Sequence, residues 1–229
     1  MHHDDKAHAI SPTSILAPGQ DIKVEIDWPL LLEQRQAVLQ HTDMPAYLLL
    51  PEIHHLLDAI DKDNFLLLVN TLWHTGARIS ECLSLTPGHF TLDNRTPYVS
   101  IQTLKKRGRP SKRSALKPRL VPISDEAYIR QLKRYFSSHG IKKNQRLFPV
   151  TRSAVNKRLD RLIEKMNSKP SVKVSPHVFR HSFAVNAVFY GTPLPVLQGW
   201  LGHADINNTL VYTQVLSLET HHLMARIDF

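Results

Sequence analysis

Cysteine is nearly absent from this chain of 229 residues, which contains only Cys82. With a single thiol, an intramolecular disulfide is impossible. Cys82 lies between the apolar residues Ile79 and Leu83 in a segment that is predicted to be helical. We therefore expect a small, buried hydrophobic side chain at this position rather than a nucleophile.

Long hydrophobic runs and a targeting signal are also missing. The longest apolar runs, such as residues 65–69, are far too short to span a bilayer. The N-terminal sequence Met-His-His-Asp-Asp lacks the basic region followed by an apolar region that marks a signal peptide. We therefore expect a cytoplasmic protein that has no membrane partner.

Acidic residues are in the minority, with 20 Asp and Glu against 29 Lys and Arg, which gives a formal net charge of +9. This excess indicates a polyanionic partner, although charge alone does not distinguish a nucleic acid from an anionic membrane. One stretch without any acidic residue holds eight basic side chains: Lys105, Lys106, Arg107, Arg109, Lys112, Arg113, Lys117 and Arg119. The stretch is either a solvated loop or a loop that contacts phosphates, and the motifs on either side of it favour the second interpretation.

The motif His-x-x-Arg, formed by His177 and Arg180, is followed by Leu-Gly-His at residues 201–203 and then by Tyr212. A Ser-Pro pair directly before His177 is typical of a helix N-terminus. The two side chains of the motif therefore share one helix face near free backbone N–H groups. This arrangement favours a bound phosphate.

The order of these motifs resembles that of the tyrosine recombinases, the integrase family of DNA strand-transfer enzymes. Residues 75–81 (TGARISE) look like the family segment that carries the first active-site arginine, here Arg78. Lys105 lies in a basic hairpin candidate, where the family keeps its catalytic lysine. The similarity covers about residues 46–218. The short chain is similar to recombinases that invert fimbrial promoters and to plasmid resolvases.

The resemblance implies a site-specific recombinase that cleaves and rejoins DNA strands. Tyr212 is the expected nucleophile and would leave a 3′-phosphotyrosine and a free 5′-hydroxyl. His177 is the expected base, and Lys105 is the expected acid, with Lys106 as its rival. Because one phosphodiester is exchanged for another, neither a nucleotide nor a metal cofactor is required in principle.

Positively charged side chains are expected to hold the phosphate. Arg78 and Arg180 would clamp its non-bridging oxygens, because a guanidinium fork makes directed bonds that a lysine cannot copy. His203 would donate a further bond. Arg78 has an alternative role as a structural salt-bridge partner of Glu81, one helical turn away. Further DNA contacts are expected in the basic loop, from Lys106, Arg107, Arg109, Lys112 and Arg113.

Hydrophobic periodicity predicts a mainly helical protein with a small antiparallel β-sheet, and the resemblance implies the fold of the tyrosine recombinase catalytic domain. The predicted strands are residues 98–103 and 120–123. Residues 1–44 are expected to form a flexible N-terminal arm with a short helix, and residues 45–229 the catalytic domain. The family's tails imply a homotetramer on double-stranded DNA, although packing of the tail within one chain is equally compatible with the sequence.

Two other functions are weighed against this one. His177 and His181 have a spacing that can hold zinc in a metal-dependent hydrolase, but the glutamate of the common zinc-protease motif is absent and Arg180 would oppose a cation. His181 is therefore expected to be a buried, hydrogen-bonded residue that supports the site. A DNA-binding module without catalysis would account for the charge but would leave Tyr212 unexplained.

Overall fold

Helices dominate the structure, a computed structural model that describes residues 26–103 and 117–216. The helices are α1 (Trp28–His41), α2 (Leu50–Asp58), α3 (Asp63–Thr75), α4 (Ile79–Cys82), α5 (Glu126–Ser138), α6 (Arg152–Lys165), α7 (Pro176–Phe189), α8 (Leu194–Leu201) and α9 (Asn207–Leu210), with 3₁₀ helices at Pro87–His89 and Val211–Leu216. The strands are β1 (Phe90–Thr91), β2 (Tyr98–Ile101) and β3 (Arg119–Pro122). No helix in the two described ranges is both long enough and apolar enough to cross a membrane.

The strands form one antiparallel sheet in the order β1-β2-β3. Ile101 pairs with Arg119 and Tyr98 with Pro122, so β2 and β3 are in register over four residues. Side chains alternate between the two faces of a strand, and on β3 the buried positions are Arg119 and Val121. The predicted mainly helical fold with a small antiparallel sheet is confirmed. Strand β1, which is only two residues long, was not predicted from the sequence.

The larger of two hydrophobic clusters is centred on α3. Leu67 and Leu72 of this helix are fully buried, and α3 packs closely against α7, which contributes Phe179. Cys82 belongs to the same cluster and has no exposed surface. Burial raises the pKa of its thiol far above the ordinary value, which is the behaviour of an inert thiol. The prediction of a small buried side chain at Cys82 is therefore confirmed.

A second cluster joins α1, α7, α8 and the last 3₁₀ helix. Leu31 and Val38 of α1 are buried in it together with Val185 of α7 and Leu197 of α8. Tyr212 belongs to this cluster as well. The short helix predicted within the N-terminal arm thus packs against the segment that carries the candidate nucleophile.

Two left-handed glycines deliver candidate site residues to the same region. Gly76 ends α3 with a φ of 58°, and its N–H donates to the carbonyl of Leu72, after which the chain turns into Arg78. Gly202 ends α8 with a φ of 63° and leads directly into His203. Only glycine adopts this backbone conformation without a steric penalty, so both turns depend on it.

We expect Gly76→Ala to destabilise the protein more than Gly140→Ala. Both glycines have positive φ, at 58° and 55°, so both substitutions carry a backbone cost of about 1–2 kcal/mol. A Cβ at position 76 would in addition lie 2.5 Å from Cδ1 of Phe183, whereas a Cβ at position 140 meets no atom within 4 Å. Overpacking adds about 1–3 kcal/mol. Urea unfolding of both variants measures the difference, and equal losses would contradict the close contact.

Candidate active site

Arg78 is held by Glu81, but its side chain remains partly exposed. It is the N-cap residue of α4, where its backbone N–H donates to Oε2 of Glu81 (2.8 Å) and its Nη1 donates to Oε1 (3.1 Å). The predicted alternative, a salt bridge to Glu81, is therefore present. The side chain of Arg78 nevertheless remains 37% exposed, against 1% for Glu81. Because a guanidinium has five N–H donors, the ion pair leaves others for a ligand.

Arg180 is buried, and two backbone carbonyls hold its guanidinium in place. Nη1 donates to the carbonyl of Gly76 and Nη2 to that of Leu201, both at 2.7 Å. These bonds tie α7 to the turn after α3 and to the end of α8. Burial, followed by the positive charges of Arg78 and Arg119, lowers the pKa of Arg180 to about 10, so the group stays charged at neutral pH.

His203 and His177 lie within the field of these two arginines. Nδ1 of His203 is 2.9 Å from Oγ1 of Thr209, which leaves Nε2 for another partner. Burial lowers the pKa of His203 to about 4, and the charges of Arg180 and Arg78 act in the same direction. Partial burial and the charges of Arg152, Arg180 and Arg78 also lower the pKa of His177.

Tyr212 lies in the 3₁₀ helix Val211–Leu216 and is 2% exposed. Its hydroxyl oxygen, Oη, is 2.8 Å from Nδ1 of His181. The hydrogen bond predicted for His181 is thereby confirmed, but the residue is half-buried rather than buried. Burial raises the pKa of Tyr212, whereas the charges of Arg180 and Arg78 lower it. The two arginines therefore lie close enough to Tyr212 to act on its phenol.

Two buried residues of the site, Glu81 and Arg119, did not emerge from the sequence as site residues. Arg119 makes a two-pronged ion pair with Glu81, from Nη2 to Oε2 (2.6 Å) and from Nη1 to Oε1 (3.1 Å). Its Nε also donates to the carbonyl of Trp200 (2.7 Å). The side chain is 7% exposed. The interpretation of Arg119 as part of a phosphate-contacting loop is therefore wrong, because an inward position on β3 directs it to Glu81.

The ionisation of Glu81 follows from these partners. Burial alone would raise the pKa of this carboxyl, but the hydrogen bonds and charge of Arg119, with a smaller contribution from Arg78, hold it below the ordinary value. Glu81 is thus an anion at neutral pH. Among the residues that the structure describes, one carboxylate, that of Glu81, lies among the guanidinium groups of Arg78, Arg119 and Arg180, so this part of the site keeps a surplus of positive charge. Such a surplus suits a phosphate.

Five of the six predicted catalytic residues come together in this region: Arg78, His177, Arg180, His203 and Tyr212. Lys105 and the predicted DNA contacts lie in residues 104–116, outside the described residues. In the ranges that the structure describes, no group of three or more His, Cys, Asp or Glu side chains is arranged to hold a metal ion. His181 is one of the two ligands in the metal-site alternative, and its Nδ1 is already hydrogen-bonded to Oη of Tyr212.

Comparison with known proteins identifies relatives over most of the chain. Residues 47–219 match the phage integrase family. A protein named resolvase from Escherichia coli (strain K12) is 35% identical in an alignment that covers 92% of this chain and 87% of the relative. A probable site-specific recombinase in the afa region of Escherichia coli is 32% identical and covers 92% of this chain and 84% of the relative.

Solved structures show the same fold. The XerH site-specific recombinase bound to its difH substrate, in a pre-cleavage complex, has a TM-score of 0.62 and 25% identity over 80% of this chain. This chain spans about half of that protein, 55% of its length. The catalytic domain of bacteriophage HP1 integrase has a TM-score of 0.53 and 27% identity, covering 78% of this chain and 94% of that domain.

We expect Glu81→Gln to destabilise the protein in a pH-dependent way. At pH 7 the substitution leaves Arg119 as a buried charge without its counterion, which costs about 3–5 kcal/mol. Because the pKa of Glu81 is lower in the folded protein than the value of about 4.3 in the unfolded chain, its stabilising effect is present above that value. The effect is lost as the pH falls through the folded pKa. The difference in the free energy of unfolding between the wild type and Glu81→Gln therefore becomes smaller in acid. Urea unfolding at several pH values measures this difference.

The matched control for this measurement is Glu126→Gln. Glu126 pairs with Arg130 at 3.2 Å, but the two side chains are 84% and 70% exposed. Exposed pairs contribute about 0–1 kcal/mol, so this variant is expected to unfold almost like the wild type. A Glu81→Gln variant as stable as Glu126→Gln at pH 7 would contradict the role of the buried carboxylate.

Proposed function

The chain belongs to the phage integrase family and is a site-specific tyrosine recombinase acting on DNA, and on this basis we propose that Tyr212 cleaves the strand. Its phenolic oxygen attacks the scissile phosphorus, the bond from phosphorus to the 5′ oxygen breaks, and a 3′-phosphotyrosine forms. The 5′-hydroxyl of the incoming strand then reverses these steps. Because each phosphodiester replaces another, the exchange needs no external energy source.

The observation that carries this proposal is the charge around Tyr212. Arg78 and Arg180 act on its phenol, and both guanidinium groups are held by contacts within the protein. Positive groups fixed in advance stabilise the charge that develops on a phosphate in the transition state. Loss of one such donor is expected to slow cleavage about 100- to 1000-fold.

The remaining roles follow from the family likeness and from the surroundings of each residue. His203 donates a hydrogen bond to a non-bridging oxygen through Nε2, since its Nδ1 is engaged by Thr209. His177 accepts the phenolic proton, which its lowered pKa permits because the imidazole is then neutral at pH 7. Lys105 protonates the departing 5′ oxygen. The DNA contacts proposed on either side are Lys106, Arg107, Arg109, Lys112 and Arg113.

The biological role that we propose is the resolution of DNA multimers, such as those of plasmids. Its support is the name and length of the relatives, because two proteins called resolvase from Escherichia coli are each 35% identical and are covered over 87% and 90% of their length. Inversion and integration are the alternatives. We propose a homotetramer on two DNA duplexes, by likeness to the family, and action in the cytoplasm, where such DNA resides. We also propose the domain division expected from the sequence, with a flexible N-terminal arm that contains a short helix at residues 1–44 and the catalytic domain at residues 45–229.

Tyr212→Phe is expected to bind DNA like the wild type but to form no covalent complex, because the ring is retained and the nucleophilic oxygen is removed. The assay uses a nicked duplex that carries the site located by footprinting, and it detects complexes that resist denaturant. Tyr190→Phe is the matched control. Tyr190 is 48% exposed at the end of α7, so this variant should cleave normally. A covalent complex with Tyr212→Phe would refute the assignment of the nucleophile.

Lys105→Ala is expected to fail on an ordinary duplex and to recover on a duplex whose scissile 5′ oxygen is replaced by sulfur. A thiolate is a good leaving group that needs no acid, so the missing proton donor no longer matters. Cleavage rates on the two substrates measure the recovery. Lys106→Ala provides the comparison, and recovery confined to that variant would transfer the acid role to Lys106.

A further inference from the structure

His181 makes a hydrogen bond with the hydroxyl of Tyr212, the proposed nucleophile. Nδ1 of His181 and Oη of Tyr212 are 2.8 Å apart, while the two rings are tilted by 44° at a centroid distance of 5.9 Å. The contact is thus a hydrogen bond rather than ring stacking. Tyr212 is 2% exposed, and a buried tyrosine hydroxyl requires a partner of this kind.

The direction of this hydrogen bond follows from the charges around it. Burial, followed by the charges of His177 and Arg180, lowers the pKa of His181 to about 4, so the imidazole is neutral at pH 7. Burial raises the pKa of Tyr212, so its phenol keeps its proton. The positive charges of Arg180 and Arg78 attract the lone pairs of Oη, so the lone pairs rather than the proton point toward the arginines. Tyr212 therefore donates its O–H to Nδ1, and the imidazole N–H is on Nε2.

We propose that His181 is a positioning residue for the nucleophile: its Nδ1 accepts a hydrogen bond from the Tyr212 hydroxyl and so directs a lone pair of Oη toward the phosphate site formed by Arg78 and Arg180. This inference rests on the function proposed above. Attack on phosphorus requires a lone pair aimed at the reacting atom, and a hydroxyl that rotates freely presents it only part of the time. With the O–H of Tyr212 hydrogen-bonded to His181, the reactive side of the oxygen faces the two arginines. The proton leaves for His177, the base proposed above, as the bond to phosphorus forms.

The location of His181 on the chain supports this role. It follows Arg180 directly on α7, so one helical turn supplies both a phosphate clamp and a partner for the nucleophile. Helix α7 packs closely against the 3₁₀ helix that carries Tyr212, and it is fixed on its other side by contacts with α3. Two rigid, packed elements therefore set the distance between the imidazole and the phenol, which is how precise positioning is achieved.

The test compares His181→Asn with His181→Gln. An asparagine amide reaches about the position of Nδ1, so its carbonyl can accept the Tyr212 hydroxyl, whereas the longer glutamine places its amide near the position of Nε2. Both residues are polar and uncharged, and asparagine has the lower helix propensity of the two, so any loss of helix stability works against the variant that is expected to be active. The rate of covalent complex formation is measured in a single turnover on the nicked duplex described above. The affinity for the same duplex is measured separately by titration.

We expect His181→Asn to cleave within a few fold of the wild type and His181→Gln to cleave about 100-fold more slowly, with equal DNA affinity for all three proteins. The factor is that of a catalytic group misplaced by about 1 Å. Equal rates for the two variants, whether fast or slow, would overturn the inference. Faster cleavage by His181→Gln than by His181→Asn would overturn it as well, because the hydrogen bond to Tyr212 would then hinder the nucleophile. Absence of a covalent complex with the wild type would instead refute the proposed function, and this inference with it.

Discussion

The buried carboxylate of Glu81 is the interaction on which the cationic site depends. It accepts hydrogen bonds from Arg119 and from both the backbone and the side chain of Arg78. Three guanidinium groups in a poorly hydrated region repel one another, and the low local dielectric makes this repulsion costly. One anion reduces that cost without cancelling the charge that attracts a phosphate. The folded protein thereby keeps a positive electrostatic potential at this site, which attracts the phosphates of DNA.

The same set of bonds links elements that are distant in sequence. Arg119 belongs to β3, yet it donates to the carbonyl of Trp200 at the end of α8, and Arg180 donates to the next carbonyl, that of Leu201. The end of α8 is therefore held from the sheet and from α7 at adjacent residues. The left-handed turn at Gly202 follows at once and leads into His203. The position of His203 thus depends on the hydrogen bonds that Arg119 and Arg180 donate to backbone carbonyls.

Local chemistry allowed much of this arrangement to be predicted from the sequence. The Ser-Pro pair before His177 predicted the start of α7 at Pro176, because this signal acts within a few residues. The inward direction of Arg119 was not predictable in this way, since it depends on the register of β3 against β2 and on a carboxylate 38 residues earlier. The bond between His181 and Tyr212 spans 31 residues and has no local signal either.

Burial and reactivity are in opposition at Tyr212, and the fold reconciles them through placement. A phenol buried in an apolar cluster is a weak nucleophile, because burial raises its pKa. The arginines that would bind the phosphate also lower that pKa, so the groups that recognise the substrate are the ones that favour the reactive oxygen. The carbonyls and the carboxylate that hold these arginines belong to the folded chain, so binding of DNA is not needed to assemble them. The arginines therefore need little reorganisation when a phosphate binds, and such preorganised charge is a main source of rate in a site of this kind.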